Sequence, residues 1–139
     1  MKFWDASGVI PLCVRESRTP LVKKLAEEDA IAVWWTTPVE CYSAFARRRR
    51  DNILTRAHED QARQAVARLA ADWTEVQPSQ QIRETAARVL LLHPLRSADA
   101  LQLAAGLLWA DGRAAGQHFV CFDERLREAA QREGFEVLP

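Results

Sequence analysis

The stretch Ile31-Ala32-Val33-Trp34-Trp35-Thr36-Thr37-Pro38-Val39-Glu40 joins the best candidate for a central strand to the start of a helix. Ile31 to Trp35 is an unbroken apolar run rich in strand-favouring residues, the pattern of a parallel strand buried on both faces. Thr37-Pro38 then opens a helix, since proline in the first turn loses no hydrogen bond and its fixed φ already suits the helix. That helix carries Tyr42, Phe45 and Ala46 and ends in Arg47-Arg48-Arg49-Arg50.

The same alternation continues outward in both directions. Before it, Phe3-Trp4 ends at Asp5, Ala6-Ser7-Gly8 reads as a turn, and a helix follows over Val9 to Leu12. Thr19-Pro20 then caps and opens a helix with Leu21, Val22, Leu25 and Ala26 on one face. After it, Ala62, Ala65, Val66, Leu69 and Trp73 fall at i, i+3, i+4, i+7 and i+11 of an amphipathic helix. Thr74 to Val76 reads as a short edge strand, and Ile82, Ala86, Val89 and Leu90 mark another helix. Ser97 caps a helix from Ala98 to Trp109 that is apolar nearly all round. His118 to Phe122 is a strand ending at Asp123, a charged helix places Leu126, Ala129 and Ala130 inward, and Phe135 to Leu138 is the last strand. Strands separated by helices, without hairpins, predict an α/β fold with a parallel sheet covered on both faces. No repeat or low-complexity linker divides the 139 residues, so one domain over 1–139 is expected.

Composition narrows the function classes. Nineteen Lys plus Arg balance nineteen Asp plus Glu, so bulk charge does not steer the molecule toward nucleic acid, and recognition must come from local patches. Cys13, Cys41 and Cys121 are widely spaced among apolar residues with no Cys-x-x-Cys pair, which predicts buried reduced thiols rather than a zinc site. Met1 to Asp5 holds no signal-type apolar run and no segment approaches a membrane span, so a cytoplasmic location without membrane contact is expected.

Asp5, Glu40, Asp99 and Asp123 each stand where an apolar strand hands over to a helix, or where such a helix begins. In an open α/β sheet those junctions share one edge. Each has a simpler explanation of its own. Thr37-x-x-Glu40 fits a capping box, Asp123 fits an N-cap before Glu124-Arg125-Leu126, Asp99 gains from the dipole of its helix, and Asp5 fits a cap on Ser7-Gly8. Capping does not explain why all four share an edge. Two carboxylates about 4 Å apart repel by roughly 4 kcal/mol at an effective dielectric near 20. Mg²⁺ or Mn²⁺ neutralises such a cluster with carboxylate and water oxygens, and metal-assisted phosphodiester hydrolysis uses one. Other chemistries lack their motifs. A haloacid-dehalogenase phosphatase needs a second Asp where Ser7 stands, a response-regulator receiver needs an acidic pair on the first strand, and neither a phosphate-binding glycine loop nor a Gly-x-Ser-x-Gly elbow is present.

Four segments together carry a resemblance: Trp4-Asp5-Ala6-Ser7, Val39-Glu40-Cys41-Tyr42-Ser43-Ala44-Phe45, Leu95-Arg96-Ser97-Ala98-Asp99-Ala100-Leu101-Gln102-Leu103-Ala104, and Phe119-Val120-Cys121-Phe122-Asp123-Glu124-Arg125-Leu126. In order and placement they resemble the PIN-domain ribonucleases, and more closely the VapC toxins of type II toxin-antitoxin pairs. The resemblance implies a five-stranded parallel sheet between helices and a metal-dependent endoribonuclease that inhibits translation. It further implies that Asp5, Asp99 and Asp123 hold magnesium or manganese, that Glu40 acts through metal-bound water or helps orient the attacking hydroxide, and that Ser7 hydrogen-bonds the site or the substrate phosphate. An RNA substrate, a cognate antitoxin folding across the groove and a homodimer complete what it implies. The family often has Ser or Thr two residues before the last acid, where this chain has Cys121, a weaker hydrogen-bonding group.

Arg47 to Arg50 is the one dense basic run. It reads either as a solvated helix end favoured by the dipole or as an RNA-backbone contact, with Arg48 and Arg49 as candidates and Arg96 as a third. Trp34 and Trp35, in a strand, should send one ring to each side of the sheet. His93 fits a helix-end role, and His58 and His118 lack ligand spacing. Two other functions stay open at this point: a DNA or structure-specific nuclease on the same scaffold, and a non-catalytic interaction domain whose acids are only caps.

Overall fold

Five short strands pair in the order β3-β2-β1-β4-β5, all parallel. The computed structural model describes all 139 residues, Met1–Pro139. In chain order the elements are β1 (Lys2–Trp4), α1 (Ala6–Cys13), α2 (Thr19–Glu28), β2 (Ile31–Trp34), α3 (Thr37–Arg50), α4 (Arg56–Ala70), β3 (Thr74–Val76), α5 (Gln80–Leu92), α6 (Ser97–Trp109), β4 (His118–Val120), α7 (Glu124–Arg132) and β5 (Glu136–Leu138). No helix is long and apolar enough to cross a membrane.

Strand residues alternate between two cores, as the two-residue period of a strand requires. Phe3, Ala32, Trp34 and Phe119 face α5, α6 and α7 through Ile82, Val89, Leu103, Leu107, Leu126 and Ala130. Trp4, Val33 and Val120 face α1 to α4 through Val9, Val22, Phe45, Ala62 and Val66. Phe3, Trp4, Phe45 and Phe119 are fully buried, and removing such a side chain from water contributes about 1.5–3 kcal/mol each. The Phe3 and Phe119 rings pack tilted with centroids 5.2 Å apart, and Phe119 and Phe135 do so at the same spacing. The apolar α6 lies directly over these rings. Gly106 makes that approach possible, because a Cβ there would stand 2.7 Å from the Phe119 ring.

The expected α/β architecture is present, but several local assignments change. Ala6 to Gly8 is the first turn of α1, because the Asp5 side chain caps the helix there. Trp73 lies beyond the end of α4. Trp35 is outside β2, and its side chain is 51% exposed rather than set against the sheet. Its neighbour Trp34 is buried in the α5–α6 core.

Three expected caps are also absent, and in two of them the hydroxyl has another partner. Thr19 donates to the carbonyls of Pro11 (2.8 Å) and Val14 (3.1 Å), joining the end of α1 to the start of α2. Thr37 begins α3 but accepts a bond from Gln102 Nε2 at 3.2 Å, so the Thr37–Glu40 capping box does not form. Ser97 is the first residue of α6, with Arg96 at the cap position and no side-chain cap bond. All three cysteines are free, with Cys41 and Cys121 buried and Cys13 half-buried, in keeping with reduced thiols.

Candidate active site

The parallel sheet delivers the ends of β1, β2 and β4 to one edge, where four acidic side chains meet. Asp5 follows β1 and caps α1, accepting the Ser7 backbone N–H at 3.0 Å. Glu40 lies in the first turn of α3 and Asp99 in the first turn of α6. Asp123 follows β4 and caps α7, accepting the Leu126 N–H at 2.9 Å. Two of the simple capping roles are therefore real, and the same residues still share one site. Asp5, Glu40, Asp99 and Asp123 line a single pocket of about 300 Å³ together with Ser7 and Arg47.

Hydrogen bonding leaves one face of three carboxylates open. Asp5 takes its bonds on Oδ2, from the Ser7 backbone and hydroxyl and from the Cys121 thiol at 3.7 Å. Glu40 takes its bonds on Oε1, from the Thr36 hydroxyl at 2.7 Å and Gln102 Nε2 at 3.1 Å. Asp123 uses Oδ1. The protein thus anchors one oxygen of each and leaves the other without a protein donor. Ser7 has a connecting role: its proton goes to Asp5, while its oxygen accepts the Phe122 N–H at 2.9 Å. The hydroxyl ties the β1–α1 junction to the chain beyond β4, standing behind the Asp5 carboxylate. Cys121 adds to this layer, 3.7 Å from Ser7 Oγ and 3.6 Å from the Asp123 carbonyl. Burial pushes its thiol pKa far up, so it brings no negative charge to the cluster.

The electrostatics are those of crowded, partly dehydrated acids. Burial raises the Asp5 pKa, with further upward pressure from Asp99, against the lowering effect of the Ser7 bonds. Burial also raises Glu40, to about 7, with Asp5 and Asp99 adding to it while Thr36 and Gln102 oppose. Asp99 is raised by burial and by Asp123, despite the Arg96 backbone and the Arg96 and Arg125 guanidinium groups. No group of three or more His, Cys, Asp or Glu side chains is arranged to hold a metal ion as it stands. The donor chemistry nevertheless fits a hard divalent cation: carboxylate oxygens only, mutually repelling, with unanchored oxygens on three of the four.

The basic residues divide in a way that helical geometry explains. Glu40, Ser43, Ala44 and Arg47 all line the pocket, and they stand at i, i+3, i+4 and i+7 on one face of α3. Arg48 and Arg49 point elsewhere. Arg48 pairs with Glu16 at 3.1 Å and Arg49 with Glu59 at 3.1 Å. Arg96 precedes α6 close enough to act on Asp99. The sequence offered a signal for Arg47 in its spacing from Glu40, and one for Gln102 as the lone polar residue inside the apolar run of α6. Gln102 is wholly buried. Thr36 gave no such signal.

The histidines stand away from the pocket. His93 is at the end of α5 with Nε2 2.8 Å from Glu133, and His118 pairs with Glu136 at 3.2 Å. No protein-family model and no curated protein matches this sequence.

Proposed function

We propose that this chain is a metal-dependent endoribonuclease that hydrolyses RNA phosphodiester bonds and serves as the toxin of a toxin-antitoxin pair. The observation that carries the hydrolytic part is the single pocket lined by Asp5, Glu40, Asp99 and Asp123, with Arg47 at its side. The order and placement of the four motif segments around those acids support the RNA and toxin parts. When bound, magnesium or manganese supplies charge neutralisation at the phosphoryl oxygens and a more acidic attacking water.

The chain's own groups do the rest. Asp5, Asp99 and Asp123 provide the oxygens that hold the ion, with Ser7 fixing Asp5 and the α7 amide fixing Asp123. Glu40 offers Oε2, which no protein donor occupies, to the proton of the attacking water. Thr36 and Gln102 hold its other oxygen in place. Arg47 offers positive charge to the substrate phosphate beside the acids. Leu90, Leu91 and Leu92 at the tip of α5 are exposed, an apolar surface suited to an antitoxin or a second copy.

The test is cleavage of total cellular RNA by purified, antitoxin-free protein with Mg²⁺, Mn²⁺ or EDTA. Discrete metal-dependent cuts that disappear in folded Asp5→Asn and Asp99→Asn variants are expected. Cleavage of DNA alone would replace RNA with DNA as the substrate. No cleavage of either under any metal would reject the enzyme.

A further inference from the structure

A second depression opens on the same edge of the sheet, beyond the carboxylate pocket. It measures about 480 Å³ and is lined chiefly by Trp34, Trp35, Thr36, Pro78, Arg83 and Leu101. We propose that it is a nucleobase subsite in which a base of the single-stranded RNA substrate stacks on the Trp35 indole. This rests on the nuclease reading above and adds to it the part of the substrate that is recognised beside the reacting phosphate.

Four observations carry it. Trp35 is 51% exposed, so a large aromatic residue is left open to solvent rather than packed in the core. Its backbone is nonetheless fixed at the end of the sheet, where the Trp35 N–H donates to the Val76 carbonyl at 3.1 Å. The groove and the carboxylate pocket share a wall: Thr36 lines the groove, and its hydroxyl donates to Glu40 Oε1 at 2.7 Å. Leu101 stands on α6 two residues after Asp99, so that helix also serves both depressions.

Charge selects the occupant. No Asp or Glu lines the groove, while Arg83 does, in a molecule with equal numbers of acidic and basic side chains. An anionic strand is welcome there, and its negative backbone can continue from Arg83 toward Arg47 beside the acids. The size also suits a flat ring with its sugar rather than a helix of a partner protein. Stacking on an exposed indole accepts any base face, which predicts affinity for single strands with little base preference.

The test uses 5′-labelled hexaadenylate RNA with the full chain in EDTA, with affinity read by fluorescence anisotropy of the label and stacking by quenching of tryptophan fluorescence, and steady-state kinetics with Mn²⁺. Wild type should show saturable quenching. Trp35→Ala should lose it, bind about tenfold or more weakly, and raise KM with kcat held within about twofold. Trp35→Phe should recover most of the affinity without the quenching signal, and Arg83→Gln should weaken binding and flatten its salt dependence. Circular dichroism and Tm establish that each variant is folded.

Unchanged affinity and KM in Trp35→Ala, with RNA still cleaved, would overturn the subsite and leave the nuclease standing. Trp35-dependent binding without any cleavage would support the subsite and reject the catalytic reading. A wild-type dimer that Trp35→Ala dissociates, with RNA binding unaffected, would assign the groove to a second copy and overturn the proposal.

Discussion

Glu40 and Glu133 are the same residue type in opposite electrostatic settings. Glu133, at the end of α7, receives both Arg88 nitrogens at 3.2 and 3.0 Å and lies 2.8 Å from His93 Nε2. Burial would raise its pKa, but the bonds from Arg88 and His93 outweigh burial and hold it below the ordinary value. Glu40 is likewise removed from water, yet its partners Thr36 and Gln102 are neutral and its charged neighbours Asp5 and Asp99 are acids. Its pKa rises to about 7. One glutamate closes a structural clasp between helices. The other is kept without a bonded countercharge at the edge where strands end.

The sharpest way to break the contrast is to remove charge from each region in turn. Asp5→Asn and Asp99→Asn should lower RNA cleavage by about 100-fold or more while leaving Tm equal to or above wild type. A fall in Tm with cleavage intact would place these acids among the structural pairs. Glu133→Ala should do the reverse, costing about 1–2 kcal/mol in denaturant unfolding with cleavage unchanged once folded. Arg47→Ala should reduce kcat/KM about tenfold, whereas Arg48→Ala and Arg49→Ala, whose partners are Glu16 and Glu59, should change it less than twofold.

The smallest effect is in pH dependence. A carboxylate whose folded pKa is raised favours the folded state fully below its unfolded value near 4.5, and that contribution is lost as pH rises through about 7. Glu133, depressed, contributes above its unfolded value and loses this only as pH falls. In EDTA, Tm should therefore decline by a few degrees between pH 5 and pH 8. Glu40→Gln should flatten part of the decline, and Mn²⁺ should raise Tm more at pH 8 than at pH 5. A flat wild-type profile would argue that the acids are too well hydrated to interact.

The architecture was legible in the sequence because apolar period is a strong signal. All five strands and all seven helices lie in the segments that alternation and 3.6-residue spacing marked, although β4 stops at Val120 rather than running on to Phe122 and β5 begins at Glu136 rather than Phe135. The edge on which the acids gather followed from the parallel order. What one dimension did not supply was partner choice. Two adjacent threonines open α3, and local rules favoured Thr37 as the cap. Thr37 instead meets Gln102, sixty-five positions away, leaving Thr36 to hold Glu40. Trp35 was misplaced for a similar reason, since an apolar run does not reveal the residue at which a strand leaves the sheet. The four consecutive arginines looked equivalent as a run, and only rotation about α3 separates Arg47 from Arg48 and Arg49.

Gly106 gives the site a property of its own. It seats α6 on the Phe119 and Phe3 rings, and Asp99 stands seven residues back on the same helix, about 10 Å away along the axis. A rigid rod bearing on aromatic rings at one end and carrying a charge near the other works as a depth gauge. Thickening its foot by a single methyl would lift or tilt the rod, moving Asp99 relative to acids carried on other elements. The geometry of the acid cluster is therefore exposed to mutation at a residue that lies outside it and carries no side chain.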